Sequence, residues 1–154
     1  MQLSETRYRK IVWIGGLYDL IVNLPFALPV LVSIHLETLA TFQAWLGLSG
    51  EFPVFDPFHL LFVNVFGSVA VIWAVLRIAR PEPLFGLTDG AMRAVLSSLM
   101  LYYLVVWNIP QIVVLFLVPE IAFAIAQLGG YWRYRQLKNN TKQVPVRIQV
   151  VSLR

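Results

Sequence analysis

The chain has 154 residues, 58% of them hydrophobic and only 13% charged, with no cysteine and a net charge of +4. A soluble domain usually carries about 25% charged and about 45–50% apolar residues, so an ordinary soluble globule and a disordered chain are both excluded. The lack of cysteine removes disulfide scaffolds, thiol redox chemistry and any zinc or iron–sulfur site that needs thiolates.

Four stretches are long and apolar enough for a bilayer, which needs about 20 residues per helix. The first covers residues 11–34 and contains a single acid, Asp19. It is too long for a signal-peptide core, and is therefore expected to be retained. A connection follows in which residues 36–48 place Leu36, Leu39, Ala40, Phe42 and Leu46 on one helical face, with Gln43 interrupting it. Two readings stay open for it: an amphipathic helix on the outer surface, or an ordered loop over the mouth of the bundle. The second span, 56–76, opens with Asp56-Pro57, a capping acid followed by a proline suited to the first turn. The third, 89–107, is the shortest. The fourth, 110–129, ends at Gly129-Gly130, a natural stop, and only Asn108-Ile109-Pro110 is available to turn the chain from the third into it. Residues 132–154 form a basic tail in which 144–151 has the pattern of a strand.

All 12 cations precede the first span, surround the second connection or follow Tyr131. The positive-inside rule then puts both termini in the cytoplasm. The basic charge is topological, so the expected partners are the lipid bilayer and a membrane protein or second copy of the chain, and not nucleic acid. No cofactor motif is present. The expected fold is an all-α, integral membrane four-helix bundle occupying residues 1–131.

Charged groups inside spans are costly and serve by default as functional candidates. Asp19 lies nine residues past Lys10 and Glu120 eleven before Tyr131, which puts them roughly 13 and 16 Å deep at about 1.5 Å per residue. Both are expected near the midplane. Arg93, in the first turn of the third span, is expected too close to the cytoplasmic face to pair with either. Desolvation disfavours an unpaired carboxylate, so each acid is expected to be neutral or to share a proton. Asn23, Asn64, Ser68 and Tyr102 supply further polar groups at similar depth, one stripe per helix, that together suggest a single hydrogen-bonded layer. For Asn64, Ser68 and Tyr102 a purely structural bond between helices is an equal alternative. Pro25, Pro29 and Pro119 lie close to the two acids, where kinks free carbonyls. At the outer mouth His35 and His59 are weak metal candidates, because no ligand spacing accompanies them.

The sequence Phe55-Asp56-Pro57-Phe58-His59-Leu60-Leu61-Phe62, with Tyr18-Asp19 and an Arg80-Pro81 turn, resembles the small bacterial four-span DoxX-like and BphX-like membrane proteins over most of residues 8–132. The resemblance implies a bacterial inner-membrane location and an accessory role beside a membrane redox system. The residues themselves favour a non-enzymatic protein with a midplane polar pocket for a small amphiphile or partner helix. Two alternatives remain: a proton-coupled small-molecule transporter, and an enzyme on a lipid-soluble substrate with Glu120 as acid and Asp19 as base.

Overall fold

The computed structural model describes residues 2–142, all of whose regular elements are helical. They are α1 (Gln2–Ala27), α2 (Pro29–Trp45), α3 (Pro57–Ala79), α4 (Pro83–Val106), a 3-10 turn (Gln111–Val113) and α5 (Val114–Lys142). Four of these helices, α1, α3, α4 and α5, are long and apolar enough to cross a membrane. The strand pattern at 144–151 lies outside the described residues.

Prolines set most of the boundaries. The continuous first span expected over 11–34 is two helices, because Leu28, the residue before Pro29, takes an extended conformation at φ −108°, ψ 117°. The ring of a following proline disfavours the helical region at that position. Pro29 then starts α2, Pro57 starts α3 behind the cap from Asp56 Oδ1 to the His59 amide, and Pro83 starts α4. The third span therefore begins six residues earlier than expected, adding roughly 9 Å of helix at its basic end. The connection to α5 turns at Asn108, whose φ is 47°.

Gly129-Gly130 does not stop the last helix, which runs on to Lys142. Tyr131 and Tyr134 both stack near the buried Tyr8 of α1, with ring centroids 6.1 Å apart, so tertiary packing carries the helix past the glycines. Within α2, Gln43 is the residue that turns inward. It donates to the Gly50 carbonyl (2.7 Å) and accepts from the Ile112 amide (3.2 Å), while Gln111 exchanges two bonds with the Ser49 backbone. The segment after α2 is thereby fastened across the turn of the α4–α5 hairpin.

The helices pack as two pairs, α1 with α3 and α4 with α5, joined through α1 against α5 and α4. Gly67 allows the first pair its close approach: a Cβ there would lie 2.6 Å from the backbone of Phe26 and Ala27. The interior is small and polar while the exterior is bulky and apolar. Phe66, Ile72, Val105 and Ile125 are among the exposed side chains, whereas Arg77, Arg93, Asp89 and Gln127 are among the most deeply buried. This inversion is what a bilayer, offering no hydrogen bonds, demands of a spanning bundle.

Candidate functional site

Two arginines and two aspartates close a ring among three helices. Arg77 of α3 donates through Nη1 to Asp89 Oδ2 and through Nη2 to Asp19 Oδ2. Arg93 of α4 donates to the same two oxygens, through Nε to Asp89 (3.0 Å) and through Nη2 to Asp19 (2.5 Å). Each arginine thus joins both aspartates, and each aspartate joins both arginines. Asp89 receives two further bonds, from Gln127 Nε2 (2.7 Å) on Oδ2 and from Trp73 Nε1 (2.9 Å) on Oδ1. Arg93 has a third carboxylate partner, Glu120 Oε1 of α5, at 2.8 Å. Its guanidinium also lies 4.9 Å from the ring centre of Phe123, a cation–π distance.

Helix geometry explains how Arg77 reaches this ring from the last turn of α3. Side chains lean toward the N-terminus of their helix, which for α3 is the end at Pro57. Arg77 accordingly runs back into the bundle, with Nε 3.4 Å from the Trp73 carbonyl oxygen. Asp89 and Arg93 are one turn apart on α4, a spacing that puts acid and base on one face. Gly86, on the same face, leaves room for Tyr8 and Val12, since a Cβ there would lie 2.4 Å from the Tyr8 hydroxyl.

The expectation that Asp19 and Glu120 lie unpaired is corrected by this geometry, and so is the exclusion of Arg93. The earlier start of α4 carries Arg93 into the interior, where it pairs with both acids. The sequence reasoning also missed Arg77, treated as a flanking cation, and Asp89, treated as a helix end. The available signal was the Asp89/Arg93 pair at helical spacing inside an apolar run, a motif that neutralises itself.

The other polar candidates do not join the ring. Asn23 donates to the Asp19 carbonyl of its own helix. Asn64 donates at 2.8 Å to the Phe26 carbonyl, whose usual helical donor is lost at the break before Pro29. Ser68 is half-buried on α3, one turn from Asn64 and facing the α1 side, while Tyr102 is exposed and packs edge-on against Tyr103. The single layer expected from these stripes is therefore two separate features, the ring and the Asn64–Phe26 tie. His35 packs edge-on against Phe26, and burial holds its pKa below the usual 6.5. His59 pairs with its own capping residue, Asp56, at 3.0 Å. Among the described residues no three His, Cys, Asp or Glu side chains gather as a metal site would require.

Exposure within the network is uneven. The side chains of Arg77, Asp89 and Arg93 are at most 1% exposed, whereas Asp19 and Glu120 retain 12% and 13%. Tyr18 and Phe123, whose ring centres are 5.2 Å apart, flank these two acids on α1 and α5. Two clefts of about 550 and 520 Å³ lie elsewhere, one between the turn of the α4–α5 hairpin and Leu46, the other along α2. No side chain of the network lines either. Comparison with protein-family models, with curated proteins and with solved structures returns no match.

Proposed function

We propose that the chain is a non-enzymatic multi-pass protein of a bacterial inner membrane that binds a small amphiphile or a partner helix at the α1–α5 edge of the ionic ring. The observation that carries this reading is the uneven exposure: a sealed frame of Arg77, Asp89 and Arg93 holds Asp19 and Glu120 at its one partly open edge. Preorganised polar groups beside an apolar surface suit an amphiphile with a small polar head. The resemblance to DoxX-like and BphX-like proteins supports an accessory place beside a membrane redox system. Both termini are assigned to the cytoplasm because the exposed cations Arg7, Lys10, Arg80, Arg133, Arg135 and Lys138 share one end of the bundle.

A second reading, proton-coupled transport, is favoured by one count: three acids share two arginines, leaving one carboxyl in excess. An enzymatic role is less well supported, since Asp19, bound by both arginines through one oxygen, is a poor base.

The binding reading is tested with a photoreactive fatty alcohol added to the protein in nanodiscs. Crosslinks concentrated near Tyr18 and Phe123 support it, whereas crosslinks spread over Phe66, Ile72 and Val105 would reduce the probe to a lipid and reject the site.

A further inference from the structure

The ring of Asp19, Arg77, Asp89 and Arg93 is electrically balanced, so Glu120 is the surplus charge. Its Oε1 accepts from Arg93, but its Oε2 is buried and has no partner. An ionised carboxylate with a buried, unpartnered oxygen is costly, and such a group takes up a proton instead. The groups facing it are Asp19 and Tyr18 from α1, Arg93 and Asp89 from α4, and, through the ring, Arg77 from α3. Of the three acids, the two aspartates each meet both arginines, so the proton is least costly on Glu120.

Two other buried oxygens lie along the same α4–α5 seam without partners, Ser97 Oγ and Gln127 Oε1. The pairs Arg93–Glu120 and Asp89–Gln127 fix the antiparallel register of the seam. Ser97 lies one turn beyond Arg93 on the same face of α4 and is only 8% exposed. Gln127, on the face of Glu120 two turns away, is fully buried.

We infer that the α4–α5 seam binds a proton at the edge of the ring, on Glu120 Oε2. The inference deepens the proton-coupled reading but does not depend on amphiphile binding. Protonation neutralises the network; ionisation leaves Arg93 shared between Glu120 and the two aspartates. The bundle thereby holds a carboxyl whose charge changes without breaking the ring.

Infrared difference spectroscopy of the protein in nanodiscs tests this. A protonated-carboxyl stretch is expected at neutral pH, shifting in heavy water and on carbon-13 labelling of glutamate side chains. Labelling needs no variant, and Glu120→Gln separates the band of Glu120 from those of Glu5, Glu37, Glu51 and Glu82. Glu120→Gln is expected to abolish the band while the bundle stays folded. Absence of the band, or a band that ignores glutamate labelling, would overturn the assignment. A labelled band without proton flux in sealed vesicles would uphold the site and defeat only the transport reading.

Discussion

Arg77 and Asp89 form an ion pair in which neither side chain has exposed surface, although only twelve residues separate them across the α3–α4 turn. The short Arg80-Pro81-Glu82 connection reverses the chain, and the backward lean of Arg77 brings its guanidinium level with the second turn of α4. The pair links the α1–α3 half of the bundle to the α4–α5 half. Removing one partner would leave the other charge without compensation.

Asp89→Asn is therefore expected to destabilise the protein by about 3–5 kcal/mol, the cost typical of breaking a buried pair from one side. Thermal unfolding in detergent, followed by circular dichroism, measures it. A loss below about 1 kcal/mol would show that the pair does not hold the bundle.

Asp19 and Glu120 should respond differently to the same isosteric change. Asp19→Asn strips a charge from both arginines and should cost about 3–5 kcal/mol. Glu120→Gln removes a single contact and should cost about 1 kcal/mol or less. Equal losses in the two variants would contradict the distinction between ring and edge.

Glycine substitutions should separate close helix packing from lipid-facing surface. Gly67→Ala forces a Cβ to within 2.6 Å of the α1 backbone, and overpacking of this kind costs about 1–3 kcal/mol. Gly129→Ala meets nothing within 4 Å and should stabilise α5 by up to about 1 kcal/mol. Unfolding temperatures of the two variants should move in opposite directions.

His35 should give α2 an acid sensitivity. Burial lowers its folded-state pKa from 6.5, so the unfolded chain takes up the proton more readily. Its contribution is complete above 6.5 and is lost as pH falls toward the folded value. The Asp56 cap works in a lower window: its carboxyl is held below 3.8, first by the His59 amide, and fails only on further acidification. His35→Phe should remove the upper phase of a stability–pH curve and leave the lower one.

Gln43→Leu should loosen the junction of α2 with the α4–α5 turn, because the Gly50 carbonyl and the Ile112 amide both lose their side-chain partner. Each unpaired buried backbone group costs about 1–3 kcal/mol. Hydrogen exchange should accelerate at Ile112 while the amides around the ionic ring keep their protection.

What residue types and their order determined here is the class of fold: an all-helical chain with four membrane-length helices. That much follows from local physics, since length, apolarity, Asp56-Pro57 and the short α4–α5 turn act within a few residues of where they are written. Asp19 and Glu120 were also legible as candidates, because a charge inside an apolar run stands out whatever it touches. Their partners were not. Whether Arg77 flanks a membrane or fills a core depends on which way its side chain leans, and Arg93 depends on a helix start six residues upstream. Pairing among residues on separate helices is a matter of register and rotation, set by contacts such as Gly67 on α1 and Gly86 on Tyr8. The tertiary structure alone turned two seemingly isolated acids and two seemingly peripheral arginines into one neutralised ring with a single carboxyl to spare.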